Sequence, residues 1–316
     1  MANIAILDDF QKVALTMADW SGLQTAHAIT VFDKPMLSHD EVAHALGPFE
    51  IVGIMRERTA FPRALIEKLP NLKLLVTTGL RNASVDVKAA NERGITVCGT
   101  PGGGHATAEL AMGLMLGLAR NFHTEIANVR EGRWQSTVGL DMRGKTLGLL
   151  GLGKLGSELA TFAKAFQMKL IAWSQNLTAE DAAAKGVERV EKDELFRRAD
   201  FISVHLVLSD RSRGLVGARE IGLMKPSAFL VNTSRGPIID AAALAEALKA
   251  GRIRGAALDV YDHEPLPPDH PIRREPRALL TPHIGYVTEE GYRLFFAGMV
   301  AAIEGFLAGK PVRVIM

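Results

Sequence analysis

TLGLLGLGKLGSELATFAKAF, residues 146–166, runs from an all-apolar segment through three glycines into a helix-forming run. Gly151, Gly153 and Gly156 have the G-x-G-x-x-G spacing. Alone, that spacing is weak and suits an ordinary turn equally well. Strand before and helix after supply the context a dinucleotide loop needs. Gly151 then permits the tight turn, Gly153 lets a pyrophosphate approach the backbone, and Gly156 lets helix and strand pack closely. The phosphates would sit on unpaired N–H groups at the helix start, around Lys154 and Leu155. In such folds the next strand ends on an acid that binds the adenosine ribose. Here KLIAWS (169–174) ends on Ser174, followed by Gln175. A carboxylate would repel the 2′-phosphate of NADP, and a serine would not. No arginine follows to grip that phosphate, and Ser174 also reads as a plain strand-end residue. The choice between NAD and NADP stays open.

Outward from this loop, apolar runs alternate with helix-like segments. NIAIL (3–7), AITVF (28–32), EIVGIM (50–55), LKLLVTT (72–78) and ITVCG (95–99) form one strand series. TLGLLG (146–151), KLIAWS, FISVHL (201–206), AFLVNT (228–233), GAALDV (255–260) and ALLTPH (278–283) form a second. Helices fit the gaps, among them SHDEVAHAL with Ser38 as its cap, a long one over about 105–131, and another over about 288–307. PVRVIM reads as a final short strand. Apolar strands separated by helices imply parallel sheets covered on both faces. Two successive series imply two doubly wound α/β domains.

At 316 residues, 47% hydrophobic and 23% charged, the chain has the bulk of an ordinary globular protein of two domains. A net charge of +2 argues against a nucleic-acid partner. The single cysteine, Cys98, excludes an intrachain disulfide and a cysteine metal cluster, so no metal is expected. It fits a reducing, cytoplasmic setting. MANIAILDDF lacks the basic-then-apolar pattern of a secretory signal. The most apolar helical run, AELAMGLMLGLA, is too short to span a bilayer, so no membrane partner is expected.

Three segments close later strands: NTSRGPIID (232–240), LDVYDHEPL (258–266) and TPHIG (281–285). Ligands of open α/β sheets bind at the carboxyl ends of strands. These segments therefore bring an arginine, Arg235, an acid, Glu264, and a histidine, His283, toward one place.

Over essentially its full length the chain resembles the D-isomer-specific 2-hydroxyacid dehydrogenases. The glycine loop, His205 in SVHLVL, SRG, DVYDHEPL and PHIG occur in family order. The resemblance implies a Rossmann NAD(P)-binding domain, residues 100–286, inserted in a flavodoxin-like substrate domain, residues 1–99 plus 287–316. It implies two hinge regions and an active site in the cleft. It also implies hydride transfer between NAD or NADP and a small 2-hydroxy or 2-keto acid, of the 3-phosphoglycerate, glycerate or glyoxylate/hydroxypyruvate type. His283 becomes the general acid–base, since histidine titrates near neutrality. Glu264 accepts from the other ring nitrogen and favours the imidazolium. Arg235 grips the substrate carboxylate and polarises the keto oxygen. Formate dehydrogenases share the fold but pair the histidine with glutamine, so Glu264 argues against them.

The resemblance places Asp259 at the nicotinamide carboxamide. It places Thr107, Leu206, Thr233, Ser234 and Gly285 along the cofactor, with His205 either structural or touching the cofactor through its backbone. Helix capping is the alternative for Thr107 and His105. One departure concerns the glycine-rich turn after the fourth strand, where this chain has Leu80-Arg81-Asn82 in TTGLRNASVD. Together with Arg56 in IMRERT, these are the candidate substrate contacts. Arg56 or Arg81 would favour a substrate with a further anionic or polar end; a salt bridge with Glu57 or another nearby acid is the alternative. The helix after residue 105 and REGRWQ match the family's dimerisation region, so a two-fold homodimer is expected. Ending at residue 316, the chain is expected to lack the C-terminal regulatory domain of some phosphoglycerate dehydrogenases. The alternative function is that of relatives that sense the dinucleotide as corepressors. Those carry disordered tails, of which this chain has almost none.

Overall fold

The computed structural model describes residues 1–103 and 105–316. Two units divide the chain: Met1–Gly103 with Val287–Met316, and Gly104–Tyr286.

The first unit holds strands β1 (Asn3–Ile6), β2 (Ala28–Val31), β3 (Ile51–Ile54), β4 (Leu74–Thr77) and β5 (Thr96–Gly99). They pair in parallel in the order β2-β1-β3-β4-β5, the flavodoxin-like arrangement. Every residue of IVGI and LLVT is buried, as a strand covered on both faces requires. Edge strand β2 is only half covered. Helices α1 (Ser21–Ala26), α2 (His39–Leu46), α3 (Arg63–Ile66) and α4 (Val87–Glu92) fill the connections. Ser38 caps α2, its hydroxyl accepting from the Glu41 N–H at 3.2 Å. One sheet face packs Ala5, Val52 and Leu75 against Val42, Leu46, Leu65 and Ile66. The tail helix Glu289–Leu307 covers the sheet with Tyr292, Phe295, Phe296, Met299 and Ile303. A Cβ on Gly53 would overlap the Met299 sulfur, so this close packing depends on a glycine in β3.

The second unit opens with α5 (Ala106–Ala119) and α6 (Phe122–Arg130). Its remaining elements alternate: β6 (Thr146–Leu150), α7 (Lys154–Ala165), β7 (Lys169–Trp173), α8 (Ala179–Ala184), β8 (Glu188–Arg189), α9 (Lys192–Arg198), β9 (Phe201–Val204), α10 (Ala218–Leu223), β10 (Phe229–Asn232), α11 (Ala241–Lys249), β11 (Gly255–Leu258) and β12 (Ala278–Leu280). The strand order is β12-β11-β10-β9-β6-β7-β8, all parallel. Read from β6, this is the Rossmann order with one strand added, and the direction of winding reverses between β6 and β9. The strands alternate their side chains between two cores. Phe201, Phe229 and Val231 join the layer under α5 and α7. Ile202, Val204 and Leu230 join the opposite layer, with Leu195, Ile221 and Leu244.

Two elements differ from their sequence reading. The helix expected over 105–131 is two helices, broken where Asn121 turns left-handed at φ 52°. Asparagine tolerates that conformation better than most residues. PVRVIM is a single antiparallel bridge, Cys98 to Val314, because Arg313 leaves the extended region at φ 51°. The two-residue β8 has no apolar run and was not legible. Among the described residues, no helix is long and apolar enough to cross a membrane.

Candidate active site

Three steric situations distinguish the three glycines after β6. Gly151 has φ 102°, and a Cβ there would lie 2.7 Å from the His205 carbonyl oxygen. A Cβ on Gly156 would overlap the Gly151 carbonyl. A Cβ on Gly153 would meet nothing within 4 Å among the described residues. Packing therefore demands glycine at the outer two positions, while the space beside Gly153 is open. Gly153 precedes α7 without a side-chain cap, and among the described residues no side chain takes the amides of Lys154, Leu155 and Gly156. Open space against uncapped helix-start donors is a fit for a phosphate. Ser174 is half-buried and Gln175 exposed, just past β7, and neither carries a charge.

His205 and Thr233 follow β9 and β10, whose register pairs Val204 with Asn232. The His205 Nε2 lies 2.9 Å from the Ser203 hydroxyl. Its Nδ1 is buried and has no hydrogen-bond partner among the described residues; nor has the Thr233 hydroxyl. Burial pushes His205 down to about 4, so the ring is neutral at physiological pH. Unmet polar atoms cost stability, and two of them side by side beyond the switch point suit a polar ligand. Leu206 is half-buried, and its carbonyl accepts from the Ser234 hydroxyl at 2.5 Å.

The loop bearing Arg235 is shaped by a residue that sequence reasoning missed. Asn232 donates its amide to the Arg235 carbonyl at 2.9 Å and accepts from the Ser234 N–H at 3.0 Å. A Cβ on Gly236 would overlap the Tyr261 carbonyl, so glycine lets this loop lie against the one that follows β11. Arg235 is half-buried, with Nη1 donating to the Ser234 carbonyl at 2.7 Å.

His283 and Glu264 meet directly: the ring Nδ1 is 2.5 Å from Glu264 Oε2. Their side chains are 21% and 32% exposed, so the pair is reachable from solvent. Glu264 Oε1 accepts from the Tyr261 N–H at 2.8 Å. His283 has φ 54°, an uncommon conformation for a side chain this size. Asp259, fully buried, holds it there. Its Oδ1 accepts from the Thr281 hydroxyl at 2.6 Å and the Ile284 N–H at 2.8 Å, and its Oδ2 from the Gly285 N–H at 2.9 Å. Burial raises the Asp259 carboxyl, against the effect of those donors. Thr107 closes the same loop, donating to the Gly285 carbonyl at 2.8 Å, and neither it nor His105 makes a side-chain cap of α5. His105 instead pairs with Glu158.

In the first unit, Arg56 follows β3 with φ 52° and Nε 3.6 Å from Glu57 Oε2, so the ion pair weighed against substrate binding is present. Asn82 donates to the Arg56 carbonyl at 2.6 Å and to the Thr77 hydroxyl at 2.8 Å, and accepts from Ser84. Its amide is thus used within the turn. Leu80 and Arg81 are exposed.

Residues 112–285 match the family described as D-isomer specific 2-hydroxyacid dehydrogenase, NAD binding domain. A D-3-phosphoglycerate dehydrogenase of Methanocaldococcus jannaschii is 40% identical over 280 residues, covering 87% of this chain and 53% of that protein. The chain spans about half the length of such phosphoglycerate dehydrogenases. A hydroxypyruvate reductase of Thermotoga maritima is 38% identical over 81% of this chain and 84% of its own. The crystal structure of a phosphoglycerate oxidoreductase from Vibrio cholerae superposes with a TM-score of 0.93 at 35% identity, covering 98% and 100% of the two chains.

Proposed function

The chain belongs to the D-isomer-specific 2-hydroxyacid dehydrogenases, and on that premise we propose that it interconverts a D-2-hydroxy acid and its 2-keto acid. The cofactor, NAD or NADP, supplies or accepts the hydride. Residues 100–286 hold it, and residues 1–99 with 287–316 bind the substrate. The glycine loop and the first amides of α7 take the pyrophosphate, and Thr233 and the His205 segment line the remainder. Ser174 and Gln175, at the end of β7, carry no charge to oppose a 2′-phosphate.

Glu264 holds Nδ1 of His283, which leaves Nε2 to move the proton at the substrate oxygen. In reduction Nε2 donates; in oxidation it accepts. Glu264 stabilises the imidazolium that forms in the oxidative direction. Arg235 binds the substrate carboxylate with its planar fork and polarises the C2 oxygen. Asp259 holds the His283 turn. Arg56 and Arg81 supply positive charge toward a substrate with an additional anionic or polar end. The observation that carries this reading is the 2.5 Å His283–Glu264 contact, on a turn that Asp259 clamps past the carboxyl ends of β11 and β12.

The relatives' names support 3-phosphoglycerate, glycerate or glyoxylate/hydroxypyruvate as the substrate class. α6 and the irregular 134–138 segment expose Phe122, Ile126, Val129, Trp134 and Val138. Residues 122, 126 and 129 share one helix face, which fits a two-fold homodimer. A single, unpaired Cys98 fits the cytoplasm.

The test follows NADH and NADPH oxidation separately with glyoxylate, hydroxypyruvate and 3-phosphohydroxypyruvate, and determines the product's configuration. Turnover of at least one, giving the D isomer wherever the product is chiral, is expected. Cofactor binding without turnover of any 2-keto acid, or an L product, would contradict the proposal.

A further inference from the structure

The Glu264 carboxylate lies on irregular backbone, residues 261–267, outside any helix or strand. Behind that segment lies a cavity lined by Ile239, Leu244, Leu258, Leu266 and Ile272. A segment backed by a cavity is not held by close packing alone, so directional bonds must set the position of Glu264. Tyr261 supplies them. Its backbone N–H donates to Glu264 Oε1 at 2.8 Å. Its hydroxyl lies 3.0 Å from the Leu258 carbonyl and 2.9 Å from the Thr281 carbonyl, so one proton is shared between two acceptors. Leu258 ends β11, and Thr281 stands two residues before His283. One side chain therefore ties the segment carrying the carboxylate to the turn carrying the imidazole.

We propose that Tyr261 is a positioning residue: its hydroxyl fixes the separation of Glu264 and His283, and so the orientation of the ring that moves the proton. This rests on the roles assigned above to His283 and Glu264. Burial raises the phenol, which keeps it a donor throughout the working pH range. Phenylalanine would fill the same volume and keep the backbone bond to Glu264, but would leave the two carbonyls untied.

The test compares wild type, Tyr261→Phe, Glu264→Gln, the double variant and His283→Ala. Each is assayed with glyoxylate and hydroxypyruvate and whichever reduced cofactor the wild type oxidises; cofactor Kd is read by fluorescence and Tm by circular dichroism. Tyr261→Phe should lower kcat roughly three- to tenfold, the scale of one net hydrogen bond, with cofactor Kd and substrate KM unchanged. In the Glu264→Gln background the same change should have little further effect, because both act through one ring. Wild-type kcat in Tyr261→Phe overturns the inference. So does an equal fold loss with or without Glu264, or a loss confined to Tm and cofactor Kd. If His283→Ala keeps wild-type turnover, the site assignment itself fails; if it loses turnover while Tyr261→Phe behaves as wild type, only the inference does.

Discussion

Asp8 is 2% exposed, sits at φ 63°, and has one carboxylate oxygen bonded to the Thr59 hydroxyl at 3.0 Å. The other oxygen has no partner among the described residues. Burial pushes this carboxyl up to about 6, from 3.8 in an unfolded chain. Between those values the folded state holds a proton that the unfolded state has released. Stability therefore falls as pH rises through that window, and the full cost is present above about 6. Two pH units correspond to an upper bound of about 3 kcal/mol. Asp8→Asn removes the charge while keeping an acceptor for Thr59. It should raise unfolding stability at pH 8 by about 1–3 kcal/mol, with the gain shrinking toward pH 4. Urea titrations at both pH values check this, and a variant no more stable than wild type at pH 8 would refute it. At this scale the sequence was informative where chemistry recurs in short motifs: it marked Arg235, Glu264 and His283 as candidates, and the structure brings the last two into contact. Asn232, Tyr261 and Thr281 were not legible as parts of the site. Each works through a carbonyl, an amide or a carboxylate whose place is set only by the fold.

The strands and the glycine loop were legible because apolar runs and glycine spacing are local. The Asn121 break and the Arg313 kink were not, because a left-handed residue other than glycine leaves little trace in hydrophobic periodicity. The glycine loop makes a prediction about two substitutions of the same size. Gly153→Ala puts a methyl into open space at a backbone conformation alanine accepts, φ −75° and ψ −156°. It should leave Tm unchanged and weaken binding of the reduced cofactor strongly. Gly156→Ala drives a methyl into the Gly151 carbonyl and should cost about 1–3 kcal/mol of stability as well. Fluorescence titration and thermal melts separate the two; equal loss of Tm in both variants would contradict the assignment of the open side to the phosphates.

For the whole molecule, the chain order has a consequence for the first unit. Its sheet is built from residues 1–103, but the tail helix that covers it arrives only after the second unit is complete. The two αβ series were legible from strand count, and the return of the tail was implied only by the family resemblance. The exposed strip on α6 gives a further expectation: Val129→Asp, which puts a charge in the proposed dimer face, should convert a dimer into a monomer by light scattering. An unchanged mass would remove that face from consideration. The most direct measurement on the chemistry is single-turnover reduction of a 2-keto acid by His283→Ala, with cofactor binding measured on the same sample. Binding as in wild type with the reduction step slowed by about two orders of magnitude or more is expected. A rate equal to wild type would show that the proton moves elsewhere, and the roles assigned to His283, Glu264 and Tyr261 would fall together.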